Sequence, residues 1–232
     1  MKSPKSSPAC RIEHRIGAVF FDLDGTFADT APDLAAAINR LLAERGMAGL
    51  PPKTLRPYVS QGARGLLRIG IGLSPGDPGY AEALARFVAL YAENLCEETV
   101  PFPGIDILLA QIEAKGIPWG IVTNKAERFS LPLLEKMGYR QRAACIVSGD
   151  SAQRPKPAPD LLQLAAKLTG VAPGESVFIG DDPRDVEAGR AAAMSTIAVR
   201  WGYLGDGPPI EAWGADFVVG AATEITALLG LG

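Results

Sequence analysis

The run IGAVFFDLD at residues 16–24 stays apolar almost to its end and then closes on two aspartates, Asp22 and Asp24. Such a run offers no polar face to water, so it reads as a strand buried on both sides, the pattern of a parallel sheet covered by helices. Five more short apolar runs follow far downstream: PWGIVT (118–123), ACIVS (144–148), SVFIG (176–180), TIAVR (196–200) and DFVVG (216–220). Helix-length segments near 105–115, 127–138, 158–168 and 185–193 lie between the first four or lead into them. That alternation predicts an α/β fold, a Rossmann-like parallel sheet in a three-layer α/β/α core.

Between Asp33 and about Val100 helical signals and Gly/Pro turns replace the strands. Thr30 with Asp33 resembles a capping box, placed ahead of Leu34, Ile38, Leu41 and Leu42 at helical spacing. Tyr80, Leu84, Phe87, Val88, Tyr91 and Leu95 mark a second amphipathic helix. The expected organisation is a flexible tail at 1–15, a core from 16–32 and 101–232, and a helical cap at 33–100 inserted after the first strand.

Composition removes several function classes. Twenty-three basic against 26 acidic residues leave a net charge of −3, so no broad basic surface recommends a nucleic-acid partner. No apolar run reaches the roughly 18 residues that suggest a membrane span, and residues 1–15 lack the apolar middle of a secretion signal. Three cysteines, Cys10, Cys96 and Cys145, show no paired metal-ligand spacing; reduced thiols and a cytoplasmic setting are expected. The single histidine, His14, lies in the polar stretch, which disfavours a histidine base or a histidine-bound zinc.

Ligands of open parallel sheets bind beyond the carboxyl ends of the strands. The residues expected there are Asp22, Asp24 and Thr26, then Thr123 and Asn124, then Lys156 in the loop after the ACIVS strand, then Asp181, Asp182 and Asp185. Crowded carboxylates repel one another and call for a hard cation, and oxygen ligands suit Mg²⁺. A metal, Lys156 and the donors Thr26, Thr123 and Asn124 would surround a phosphoryl group with the positive charge that its transfer requires. One carboxylate can attack as a nucleophile, and its neighbour two residues on can handle the proton.

These motifs resemble the haloacid dehalogenase superfamily. Asp22-Leu23-Asp24-Gly25-Thr26 matches its first motif, and Thr123, Lys156 and Gly180-Asp181-Asp182-Pro183-Arg184-Asp185 follow in the family's order. The resemblance spans about residues 16–230. It implies Asp22 as nucleophile, Asp24 as general acid/base with a backbone carbonyl on Mg²⁺, Thr123 on the phosphoryl oxygens and Lys156 on nucleophile and phosphate. It implies Asp181 as a metal ligand, Asp185 behind the ligands, and Asp182 either supporting the metal through water or capping the next helix. Phe27 stands where leucine or valine is usual in this family.

The insert occupies the place of the helical cap in subfamily I, and within that group the chain is most similar to phosphoglycolate phosphatases. Gly62-Ala63-Arg64, Arg200-Trp201-Gly202-Tyr203 and Trp213-Gly214-Ala215-Asp216 also resemble the bacterial phosphatase acting on N-acetylmuramic acid 6-phosphate. The expectation is a Mg²⁺-dependent phosphatase of a small organic phosphate, a monomer or homodimer, with phosphoglycolate first and the amino-sugar acid phosphate as alternative. Arg64, in what reads as a glycine-rich turn, offers a planar fork for a substrate carboxylate or a salt bridge within the cap. A phosphosugar mutase shares all four motifs. A phospho-receiver regulator shares the Asp, Thr and Lys set, but lacks the insert and needs about half the length.

Overall fold

The structure is a computed structural model that describes Ile12 and residues 14–231. Cys10 and most of the expected tail lie outside the described residues. Where the tail is described, it is docked. Ile12 is buried in the core and donates its N–H to the carbonyl of Leu228, while His14 meets the Ser195 hydroxyl at 2.9 Å.

Six parallel strands form the sheet in the order β5-β4-β1-β6-β7-β8. They are β1 (Ala18–Phe21), β4 (Trp119–Val122), β5 (Cys145–Val147), β6 (Ser176–Gly180), β7 (Ser195–Val199) and β8 (Phe217–Val219). The remaining strands, β2 (Ala28–Asp29) and β3 (Val100–Pro101), form a separate antiparallel pair.

Strand alternation divides the apolar residues between two faces. Val19, Phe21, Val177 and Ile179 enter one cluster with helices α5 (Ile105–Ala114), α6 (Glu127–Lys136) and α9 (Ala222–Leu229). Ala18, Phe20 and Phe178 enter another with α7 (Asp160–Thr169) and α8 (Pro183–Ala191). Burial on both sides explains why the strands carry so few polar residues, and each large side chain so buried contributes about 1.5–3 kcal/mol. Phe27 is accommodated by an aromatic cluster, with its ring centroid 4.9 Å from Tyr139, 5.8 Å from Trp119 and 5.9 Å from Phe21. Among the described residues no helix is long and apolar enough to cross a membrane.

The segment between β2 and β3 is helical, with α1 (Ala31–Glu44), a short α2 (Pro52–Leu55), α3 (Gly62–Ile71) and α4 (Tyr80–Glu93). The β2–β3 pair at its base was not expected, because two-residue strands leave no periodicity to read. The expected glycine-rich turn is also corrected: Ser60 and Gln61 end a 3₁₀ turn, and Gly62 to Gly65 are the first residues of α3.

Thr30 and Asp33 make no capping box. The Thr30 hydroxyl donates to Asp24, and no side chain caps α1 from that position. Buried Asp33 instead accepts from the backbone N–H groups of Glu97, Glu98 and Thr99 at 3.2, 2.9 and 3.1 Å, and from the Thr99 hydroxyl at 2.6 Å. It thereby ties the chain entering β3 to the first turn of α1. Asp33→Ala should cost about 2–4 kcal/mol in urea unfolding, because several donors lose a charged acceptor while only some regain water. A loss below about 1 kcal/mol would show that water replaces the carboxylate freely.

Candidate active site

The carboxyl ends of β1, β4 and β6 open onto a cavity of about 260 Å³. Asp22, Asp24, Thr123, Asn124, Lys156, Asp182 and Asp185 line its floor, while Leu34, Val59, Phe87, Val88 and Tyr91 of the helical segment lie against it from the other side. Strand register brings these residues together, since β1 is paired with β4 on one side and β6 on the other.

Lys156 stands at the centre, buried, with its ammonium 2.8 Å from Asp22 Oδ1, 2.7 Å from Asp185 Oδ1 and 3.0 Å from the Val122 carbonyl. Burial alone would lower its pKa, yet Asp185 and Asp22 hold it above the ordinary lysine value. The Lys156 hydrogen bond falls on Oδ1 of Asp22; Oδ2 has no hydrogen-bond partner among the described residues.

A second ion pair lies beside the first. Lys125 is buried, with Nζ 2.9 Å from Asp24 Oδ1, and the Thr30 hydroxyl donates to the same oxygen at 2.6 Å. Burial works against its charge, but Asp24, followed by Tyr91, raises its pKa. The local pairing at Asp24 uses the Leu23 carbonyl and the Gly25 N–H against Ala28, which leaves the Asp24 carbonyl outside that ladder.

Asp181 is fully buried just past β6. Oδ1 accepts from the Thr26 hydroxyl at 2.8 Å; Oδ2 accepts from the Tyr203 N–H at 2.7 Å and the Ser60 hydroxyl at 3.1 Å. Two glycines press on it. A Cβ at Gly25 would fall 2.2 Å from Asp181 Oδ2, and one at Gly202 would fall 2.2 Å from Asp181 Cβ. Gly25 also has φ +92°, which side chains with a Cβ rarely adopt.

Asp22, Asp181 and Asp185 each place a carboxylate oxygen within 4.8 Å of the others. Burial first, then Asp22 and Asp185, push the Asp181 pKa well up; burial likewise raises that of Asp185 against the pull of Lys156. One ammonium stands among three carboxylates, and the excess negative charge together with an all-oxygen donor set suits a hard divalent cation.

Several expected residues are placed differently. Thr26 is fully buried and lies behind Asp181, so it orients that carboxylate and does not face the cavity. Asn124 lines the cavity, but its amide pairs with the backbone of Lys156 in both directions, at 2.8 and 3.0 Å. Asp185, expected behind the metal ligands, is a member of the carboxylate cluster itself. Asp182, by contrast, takes the second of its two expected roles: it caps α8 in a capping box with Asp185, and it grips Arg184 through both oxygens. Arg64 is exposed on α3 and outside the cavity lining, without an ion pair among the described residues. Neither contact expected of it is formed among the described residues.

Residues to which the sequence assigned no role also belong here. Arg184 donates to the Ser60 carbonyl at 2.6 Å, which together with the Ser60 hydroxyl on Asp181 fastens the helical segment to the core. Lys125 was legible only as the residue after Asn124, and Tyr91 only as one apolar position of α4.

Comparison with known proteins adds three findings. The family model described as haloacid dehalogenase-like hydrolase matches residues 19–199. An N-acetylmuramic acid 6-phosphate phosphatase of Pseudomonas aeruginosa is 40% identical over 93% of this chain and 95% of its own, and a phosphoglycolate phosphatase of Xanthomonas campestris pv. campestris is 42% identical over 87% and 91%. A crystal structure from Haemophilus somnus superposes with TM-score 0.82 at 23% identity, covering 93% of this chain and 99% of that one, and so shares the fold.

Proposed function

This chain belongs to the haloacid dehalogenase-like hydrolases, and on that premise we propose that it hydrolyses a small organic phosphate monoester through an aspartyl-phosphate on Asp22. It is a phosphatase by kinship with relatives named for that activity across nearly their whole length. The observation that carries the covalent reading is the single Lys156 ammonium bridging Asp22 and Asp185 at the cavity floor, with the second Asp22 oxygen free of any hydrogen bond among the described residues.

In this reading Asp22 Oδ2 attacks phosphorus in line with the ester oxygen. The P–O bond to the leaving group breaks as the P–Oδ2 bond forms, and a proton held on Asp24 passes to the departing alkoxide. Water then attacks the phospho-aspartate, Asp24 takes its proton, and the P–Oδ2 bond breaks to free phosphate and restore Asp22. Lys156 holds the nucleophile in register throughout, while Lys125 and Thr30 fix one oxygen of Asp24 and leave the other for proton transfer. Thr123, just past the end of β4 and in the cavity lining, accepts from the Lys125 N–H at 3.1 Å, and in this reading its hydroxyl proton is donated to a phosphoryl oxygen.

Mg²⁺ is the cation we propose, held by the Asp22 and Asp181 carboxylates and the Asp24 carbonyl, with Asp185 supporting the site. When bound it neutralises charge that builds on the phosphoryl oxygens. The helices between β2 and β3 serve as the cap that closes over the ester and keeps bulk water out.

Both relatives' substrates fit the class, and the cavity favours the larger. Each cation lining it is already paired: Lys125 with Asp24, Lys156 with Asp22 and Asp185, and Arg184 with Asp182. The carboxylate of either acid would thus find no unpaired cation among the described lining residues; what separates the two is size, since an amino-sugar phosphate can cover the apolar roof that a two-carbon acid leaves bare. A panel of phosphate esters assayed with Mg²⁺ and ranked by kcat/KM tests this choice: N-acetylmuramic acid 6-phosphate should exceed phosphoglycolate, and the reverse order would overturn it. In the same assay Arg64→Ala should change kcat/KM by less than about twofold, as an exposed charge away from the site should. A loss of tenfold or more on a carboxylated ester would return Arg64 to the binding site.

A further inference from the structure

Among the described residues three donors hold the Asp181 carboxylate, and one of them comes from the helical segment. Thr26 follows β1 and Tyr203 follows β7, the two strands that flank β6, so both of those donors are set by the sheet. Ser60 is not. It lies near the end of the 3₁₀ turn Arg56–Gln61, and its hydroxyl crosses to Asp181 Oδ2 at 3.1 Å. The start of the same turn reaches Asp181 by a second route. Arg56 pairs with both oxygens of Asp29 at 2.9 and 2.8 Å, and its guanidinium lies 4.9 Å from the centre of the Tyr203 ring. Tyr203 donates its hydroxyl to Asp29 at 2.7 Å and its backbone N–H to Asp181. Anchoring the segment does not need the Ser60 hydroxyl, since Arg56 holds Asp29 and Arg184 donates to the Ser60 carbonyl at 2.6 Å. The hydroxyl is directed instead at one carboxylate of the Asp22, Asp181 and Asp185 cluster. Asp181 is fully buried with Gly25 and Gly202 packed against it, which leaves water little access if a donor is lost.

Resting on the metal reading above, we propose that Ser60 is a positioning residue through which the helical segment orients Asp181 for its cation. The metal site is then complete only while the segment is seated on the core. Groups that orient a metal ligand from behind set its affinity, and losing one typically costs about 10- to 100-fold. Such coupling is reciprocal, so a bound cation must in turn hold the segment down by the same factor. A substrate that seats the segment thereby tightens the cation just when charge on the phosphoryl oxygens has to be met.

Ser60→Ala removes the hydroxyl and keeps the carbonyl that Arg184 grips, so the variant should fold. The measurement is calorimetric titration of the ester-free protein with Mg²⁺, with exposed Arg64→Ala as the control within the same segment. Mg²⁺ affinity should fall about tenfold in Ser60→Ala and stay within about twofold of wild type in Arg64→Ala. Amide hydrogen exchange reads the reciprocal effect. Mg²⁺ should slow exchange in the 56–61 turn of wild type, and much less in Ser60→Ala. An affinity within twofold of wild type in Ser60→Ala overturns the proposal. So does a lowered unfolding temperature with unchanged Mg²⁺ affinity, which would make the hydroxyl an anchor and nothing more. Equal Mg²⁺ protection of the turn in both proteins also overturns it, because the segment would then not sense the cation through Ser60. A wild type that takes up no Mg²⁺ removes the metal reading itself, and this proposal with it.

Discussion

Asp22→Asn should lower kcat by at least about four orders of magnitude while the far-ultraviolet spectrum and cooperative unfolding persist. The substitution keeps the shape of the side chain but replaces the attacking anion with a neutral amide. Lys156 retains Asp185 at 2.7 Å as an ionic partner, so its ammonium is not stranded when Asp22 loses its charge. That second carboxylate is the reason to expect an inactive but folded protein. The strand behind Asp22 is also insulated from the change, since Ala18 to Phe21 are fully buried and paired on both sides. Turnover is the quantity to measure, under single-turnover as well as steady-state conditions. Near-normal activity in a well-folded variant would end the nucleophile assignment.

Removal of the metal should have the second-largest effect. Asp22, Asp181 and Asp185 share the space of one cation site with only Lys156 to offset them, and a phosphate dianion adds to the repulsion. Dialysis against EDTA should reduce turnover on the order of 10³-fold, corresponding to several kcal/mol of lost charge stabilisation. Mg²⁺ should restore it, and Ca²⁺ should not, because its longer and more variable coordination displaces the attacking oxygen. Binding has a readout separate from catalysis. Mg²⁺ should raise the unfolding temperature of wild type, as any ligand selective for the folded state does, and should raise that of Asp181→Ala much less. Full activity after exhaustive dialysis would refute the metal site.

What the sequence disclosed depended on distance along the chain. The sheet was legible because burial on both faces leaves local apolar runs, and each run named its own strand end. Asp22, Asp24, Thr123, Lys156 and Asp181 follow from that rule together with the family's motif order. Residues whose partners lie far away were not legible. Asp33 has the composition of a helix cap, but its acceptors serve Glu97 to Thr99, across the whole helical segment. Thr26 reads as a phosphate donor beside Asp24, yet its hydroxyl is committed to Asp181. Arg64 sits beside cavity-lining Gly62 and Ala63, but the start of α3 turns it out to solvent. Tyr91 is one apolar position of an amphipathic stripe until the fold sets its ring centroid 4.7 Å from the Lys125 ammonium. Side-chain commitments made across the chain decide these cases, and spacing alone does not encode them.

The covalent step is the centre of this account, and trapping the phosphoenzyme tests it most directly. Asp24→Asn keeps the backbone carbonyl but removes the group that activates water, so a phosphorylated enzyme should form slowly and persist. Acid quenching of that variant after mixing with substrate and Mg²⁺, followed by peptide mass analysis, should place one phosphoryl group on the peptide containing Asp22 and none when Asp22→Asn is added. Phosphate released in a single turnover of wild type, with no phosphoryl group on Asp22 in either protein at any quench time, would contradict it.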